Sequence, residues 1–298
     1  MNVKLQKMPI TIIIPTIGEP TLERVVQATK NELPQAEIII VGFGKSQLIA
    51  DKNFVTFLDT EVKTPKSIGI NRAVTMAKHD WIIILDADAI PQNGWGGNML
   101  SAFNKGYEVF SGSVNISHGN FWMKLYNFSY FHEFLPENPA RDKLYLPAIS
   151  MGFTKHAYEI GGKWDETLVR SQDYEWTLRL IKNGIQPRFE PNPSILHLPT
   201  TQNTFQKVWL SWVRNGFDNY RVRKKYSDIL NTPKIFDYPS LILILSPLLA
   251  IVPTIRILKT SPINSLSHFY LFPFVYLTKI AWCIGVFTAS KKEKTPHS

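Results

Sequence analysis

Ser67–Pro91, SIGINRAVTMAKHDWIIILDADAIP, decides the fold. Ser67–Ala77 carries helical spacing, and Trp81–Leu85 is a continuous apolar run of strand length that stops at Asp86, Ala87 and Asp88. Upstream, Ile10–Ile14 (ITIII) is a β-branched run closed by Pro15, and Thr21–Lys30 puts Leu22, Val25 and Val26 on one helical side. Two further apolar runs, Glu37–Val41 and Phe54–Leu58, precede the deciding stretch. Unalternating apolar strands separated by helices predict an α/β fold with a mostly parallel, Rossmann-like sheet covered on both faces. In such sheets ligands bind beyond the carboxyl ends of the strands, so residues directly after strands are the ones to read for chemistry.

Asp86 and Asp88 directly follow the fourth run. Acids two residues apart on extended backbone point to one side and repel unless a cation lies between them. Carboxylate oxygens of this kind suit Mg2+ or Mn2+, ions that also bind substrate phosphates. A plain strand-end turn would place aspartates here as well.

The chain has 298 residues, one cysteine (Cys283) and 44% hydrophobic residues, which excludes a disulfide scaffold and a disordered polyelectrolyte. Its formal net charge of +9 is unevenly placed. Residues 1–220 hold 22 Lys+Arg against 21 Asp+Glu, and residues 221–298 hold 11 against 3. The basic residues bracket two apolar segments, Tyr238–Ile255 and Phe269–Ser290, instead of covering a folded face, so no nucleic-acid partner is expected. Each segment approaches the roughly 20 residues that span a bilayer. A C-terminal helical membrane hairpin is expected, with both basic flanks and the N-terminal domain on the cytoplasmic side of the cell membrane. Pro247, Pro253 and Pro273 leave open a buried helical subdomain, or a hairpin dipping into one leaflet. Met1–Pro9 is short and mixed and reads as no secretory signal.

Three ordered segments, ITIIIPT, SIGINRAVTMAKHDWIIILDADAIP and YEIGGKWDETLVRSQDYEWTLRLIKNG, together resemble the inverting glycosyltransferases of family 2, which have the GT-A fold. The resemblance covers roughly residues 10–200. It implies a nucleotide-sugar donor, Mg2+ or Mn2+ on the donor diphosphate, and one-step displacement by an acceptor hydroxyl.

The resemblance also assigns roles to residues. Pro15, Thr16 and Glu19 match the turn that holds the donor nucleotide, Arg72 a cation near the diphosphate, and Asp86 with Ala87 the contact to ribose or sugar. Asp88 matches the metal ligand, and His197 a further ligand found in some relatives, although a His between Leu196 and Leu198 also suits a structural role. Asp173 stands at the position of the catalytic base, where the first turn of a helix favours acids in any case. Glu175 is the runner-up base. Gln172 departs from the usual acid beside the base. Val41–Lys45 lacks the acids that commonly hold the nucleobase, leaving Asp59 as a substitute or as a turn residue. Trp209, Trp212 and Arg214 resemble donor-side residues of polymerising relatives or form an amphipathic surface helix.

The expected organisation is a GT-A catalytic domain over 1–200, amphipathic and basic connecting helices over 201–237, and a membrane-associated hairpin with a basic tail over 238–298. The expected activity moves one sugar to a lipid-linked or saccharide acceptor at the membrane. A silent sugar-nucleotide binder or membrane scaffold of the same fold is the rival.

Overall fold

The computed structural model describes residues 10–260 and 266–294. The reading of Met1–Pro9, the turn expected between the two apolar segments at 261–265 and the last residues of the basic tail lie outside the described residues.

The apolar runs form a parallel half-sheet. Strands β1 (Ile10–Pro15), β2 (Glu37–Gly42), β3 (Thr56–Asp59) and β4 (Trp81–Leu85) lie in the order β3-β2-β1-β4, with Ile12 opposite both Ile38 and Ile83. Helices α1 (Leu22–Glu32), α2 (Ser46–Lys52) and α3 (Lys66–Met76) make the crossovers. Ile12, Ile13, Ile14, Ile39, Ile40, Ile83 and Ile84 are buried, which is why these strands read as unbroken apolar runs.

Beyond β4 the nine-stranded sheet becomes mixed. Next come β5 (Ala89–Pro91), α4 (Trp95–Asn104), β6 (Val109–Asn115), α5 (Phe121–Phe131), β7 (Arg141–Asp142), β8 (Ser150–Thr154), α6 (Lys155–Gly161), α7 (Gln172–Lys182) and β9 (Arg188–His197). β8 runs antiparallel to β4 and β6, β6 and β9 are parallel, and the short β5 and β7 pair antiparallel with β9. The parallel expectation describes β1–β4, where helical crossovers dictate direction. After β4 the chain returns through longer connections that reverse it.

The tail is built of helices on both apolar segments, with a further helix before them. Helix α8 (Phe205–Lys225) runs 21 residues and is followed by α9 (Pro239–Ile244), α10 (Ser246–Thr260) and α11 (Phe272–Lys294). The first apolar segment breaks at Leu245, between α9 and α10, and α10 contains Pro253, which cannot donate to the helical ladder. Only Phe269–Lys292, among the described residues, is long and apolar enough to cross a membrane, and half of its most apolar stretch is buried inside the protein. That helix is seated on α8 backbone to backbone. A Cβ on Gly285 would fall 2.0 Å from the Val213 carbonyl oxygen, and one on Gly216 would fall 2.1 Å from the Trp282 carbonyl oxygen. Trp212 of α8 stacks on Tyr130 at 4.1 Å and donates its indole N–H to Ser129 Oγ at 3.1 Å, so it is a core residue. The C-terminal helices thus pack on one another and on the sheet domain, and α11 alone among the described residues keeps the length and apolarity of a membrane span.

Candidate active site

The carboxyl ends of β1 and β4 open into a cleft of about 340 Å3. Its floor is shaped by a glycine. A Cβ at Gly42 would meet Thr16 Cγ2 at 2.6 Å and the Thr16 carbonyl at 2.9 Å, so the end of β2 can lie against the β1 turn only without a side chain. Within that turn Glu19 accepts hydrogen bonds from Thr16 Oγ1 at 2.6 Å and from the Ile17 N–H at 2.9 Å, closing the loop around Gly18, whose φ is +89°. Pro15, Thr16 and Glu19 all line the cleft.

Asp86, Ala87 and Asp88 form its rear wall. The Ala87 carbonyl accepts from Thr21 Oγ1 at 2.8 Å, which ties the acidic turn to α1. The Asp86 carboxylate forms an ion pair with Lys66, which also donates to the Ala148 carbonyl at 2.9 Å. Burial pushes the Asp86 carboxyl above its ordinary range, Lys66 opposes that shift, and the neighbouring Asp88 adds to it.

Asp88 and His197, far apart in sequence, meet because β5 pairs with β9 and sets Ala89 opposite His197. Their nearest atoms, Asp88 Oδ1 and His197 Nε2, are 3.4 Å apart. The histidine is buried and clamped by Asn127, whose side-chain amide donates to the His197 carbonyl at 3.1 Å and whose Oδ1 lies 2.6 Å from His197 Nδ1. With the amide so assigned, Nδ1 carries the proton given to Asn127, and Nε2 is the ring nitrogen turned toward the Asp88 carboxylate. A carboxylate and a ring nitrogen so placed call for a cation or a proton between them. The pair fits a divalent ion that takes its remaining ligands from substrate phosphates. Among the described residues no three His, Cys, Asp or Glu side chains gather to hold a metal ion unaided.

Asp173 stands in the first turn of α7, two residues after Ser171, a non-glycine residue held at φ +58°. Its Oδ2 accepts from the Ala148 N–H at 3.0 Å and its Oδ1 from the Tyr174 N–H at 2.8 Å. The loop before it is held from α8, where Asp218 accepts from the N–H groups of Val169 at 3.1 Å and Arg170 at 2.7 Å. Asp173 lines a second cavity, of about 660 Å3, bounded by α9, α10 and α11. Asp86, Lys66, Arg170 and Gln172 line both cavities, Asp88 only the first and Asp173 only the second.

Three expected residues lie elsewhere. Arg72 is exposed on α3 and does not line either cavity, because the inward positions of that helix are taken by Gly69, Ile70 and Asn71. The cation at the acids is Lys66, the first residue of the same helix, preceded in the sequence by the loop residues Lys63, Thr64 and Pro65. Glu175 is a structural node, accepting from Lys225 Nζ and the Tyr226 hydroxyl, each at 2.8 Å, and from Arg179 Nη2 at 2.7 Å. Asp59 closes its own turn by accepting from the Glu61 N–H at 2.7 Å. Arg214 does line the first cleft, whereas Trp212 is buried under Tyr130. Sequence reading missed Lys66, Asn127 and Arg170.

A nucleotide-sized cleft at the ends of parallel strands, backed by an Asp-Ala-Asp turn, is the arrangement of the GT-A fold. The solved structure of mannosyltransferase PcManGT from Pyrobaculum calidifontis, in complex with GDP-Man and Mn2+, superposes with a TM-score of 0.62, at 14% identity, over 96% of this chain and 88% of that one. Residues 11–157 match the model of glycosyl transferase family 2, and the chain belongs to this family. The pre-mycofactocin glycosyltransferase of Mycobacterium tuberculosis, matched in two strains, is 24% identical over 207 residues, covering 65% of this chain. The chain spans 43% of the length of those relatives.

Proposed function

We propose that the protein is an inverting, metal-dependent glycosyltransferase that moves one sugar from a nucleotide-sugar donor to an acceptor hydroxyl. The observation that carries this reading is the division of the acids: Asp88 faces one cavity, Asp173 faces the other, and Asp86 belongs to both. Inversion requires attack from the side opposite the leaving group, and a base and a leaving-group site in two cavities that meet at one carboxylate match that demand.

In this reading Pro15, Thr16 and Glu19 hold the nucleotide, and Asp86 and Ala87 hold the ribose or sugar. Lys66, rather than Arg72, stands by the diphosphate. Asp88 and His197 would hold the divalent ion, and a carboxylate with one imidazole suits Mn2+ better than Mg2+. When bound, the ion supplies Lewis-acid charge neutralisation to the departing diphosphate. Asp173 removes the acceptor proton as the hydroxyl oxygen bonds to the anomeric carbon and the bond to the diphosphate oxygen breaks. The Ala148 and Tyr174 N–H groups orient its carboxylate for that step.

The site works at the cytoplasmic face of the cell membrane, on a lipid-linked or saccharide acceptor. What supports this placement is an outward apolar row on α9 and α10, in which Ile244 is 72%, Leu248 65% and Val252 61% exposed. Arg256 and Lys259 lie at the end of that row.

Nucleotide release from a panel of sugar nucleotides with Mn2+ or Mg2+ tests the assignment. Asp173→Asn is expected to lose about 100- to 10,000-fold in rate with donor binding kept. Asp88→Ala is expected to weaken metal-dependent donor binding. A wild-type rate in Asp173→Asn overturns the base, and silence of the wild-type protein toward every donor favours the scaffold reading.

A further inference from the structure

The second cavity is lined by both apolar and cationic side chains. Phe236, Ile242, Leu249 and Ala250 line it together with Arg223, Arg256 and Lys279, and Asp173 stands next to Gln172, which lines the donor cleft as well. Lys279 is the unusual member. It is only 9% exposed, its Nζ lies 3.6 Å from the centroid of the Trp212 ring and donates to the Ser129 carbonyl at 3.2 Å. No carboxylate among the described residues is within ion-pair distance of it. Lysine is almost never this buried without an acidic partner, because desolvating an ammonium costs several kcal/mol.

A second observation comes from the mouth of the cavity. Gln172 is 8% exposed, and its Oε1 is buried without a hydrogen-bond partner, beside Asp173. A buried carbonyl oxygen left unsatisfied loses about 1–3 kcal/mol, which an acceptor hydroxyl would restore. The cavity thus offers an acceptor for a hydroxyl, apolar lining residues, and a buried cation that lacks its anion.

We propose that the acceptor is an anionic amphiphile, whose hydrocarbon chain lies against α9 and α10 and whose phosphate-type group pairs with Lys279. This rests on the reading of Asp173 as the acceptor-side base. It adds a charge requirement and a specificity-determining residue that the family assignment does not contain. The Trp212 ring and the Ser129 carbonyl hold the ammonium in place until the anion arrives.

The test uses the full chain in neutral detergent below micellar interference, with 12-bromododecyl phosphate as probe and 12-bromododecanol as its neutral match. Bromine quenches tryptophan, and Trp282 lines the cavity. The wild-type protein is expected to bind the phosphate at least about tenfold more tightly than the alcohol, the scale of one charge-assisted contact. Lys279→Met is expected to erase that preference while still binding the alcohol. Leu249→Trp, which enlarges an apolar lining residue, is expected to lose both. Inorganic phosphate alone is expected not to displace the probe, since the chain supplies much of the binding. Equal wild-type binding of phosphate and alcohol overturns the proposal without recourse to any variant, as does a preference that survives in Lys279→Met. Nucleotide release with Mn2+ is measured separately, so failure of the glycosyltransferase reading is seen in that assay and failure of the anion requirement in this one.

Discussion

The two apolar stretches of the tail have similar composition and opposite surroundings. In α9 and α10 the large residues Ile244, Leu248 and Val252 face outward, whereas in α11 Val275, Ala281, Val286 and Ala289 are buried against the rest of the protein. Hydrophobicity and length do not separate these cases. What separates them is a pair of glycines, Gly216 and Gly285, that lets α11 approach α8 at backbone distance, with no equivalent on the first segment. Apolar content reports that a segment avoids water, and small residues at one spacing report that it has a protein neighbour.

The contrast can be broken most severely at the glycines. Gly285→Leu places side-chain atoms where the Val213 carbonyl lies, and is expected to cost about 3 kcal/mol or more in urea unfolding as α11 lifts from α8. The same substitution at the outward position Ile244 is expected to change nothing measurable. Equal stability of wild type and Gly285→Leu would show that α11 is not seated as described.

Lys279→Met sharpens the contrast in the other direction. Burial pushes Lys279 down to about 7 from its ordinary 10.5. Between those values the unfolded chain binds a proton that the native protein does not, so stability of the wild type rises with pH across that window. Below about 7 both states carry the proton and the native state bears the full desolvation cost. The variant is therefore expected to be more stable by about 1–4 kcal/mol at and below neutral pH, with the advantage shrinking as pH rises toward 10.5. Tyr130 and His132 also line this cavity, and His132 is pushed down to about 3 by burial and by Lys279 itself. Denaturation of both proteins across the pH range isolates the lysine. A variant no more stable than the wild type would mean that the ammonium is better satisfied than its surroundings indicate.

The smallest change in stability is expected on the outward row. Ile244→Ser, Leu248→Ser and Val252→Ser together remove exposed surface and should each shift stability by no more than about 0.5 kcal/mol. Membrane retention after a high-salt wash is expected to fall sharply, because apolar burial in lipid is not screened as charge is. Undiminished retention, or a wild-type protein that the wash removes, would overturn the proposed membrane contact of this row.

Where the chain is a strand buried on both faces, the sequence displays it. Ile10–Ile14, Glu37–Val41 and Trp81–Leu85 match β1, β2 and β4 to within a residue, because the apolar runs give way at Pro15, Gly42 and the acid Asp86: β1 and β2 end on the first two, and β4 directly before the third. Asp86 and Asp88 were readable for the same reason. Long-range facts were not. The three-residue β5 has no periodicity to read, yet its pairing with β9 is what brings His197 to Asp88. Both Lys66 and Arg72 are on α3, and only the helical phase fixed by Gly69 against Val41 and by Asn71 against Trp164 tells them apart. In the tail, the prolines announced interruption without saying which segment would lose its span.

The walls of the second cavity run from Lys66 near the sheet to Cys283 in the last helix. During synthesis, then, every residue that lines the first cleft, up to Arg214, leaves the ribosome before Lys279, Trp282 and Cys283 of the second cavity. The cleft at the strand ends can therefore take shape on the nascent chain before the cavity beside it has its last wall.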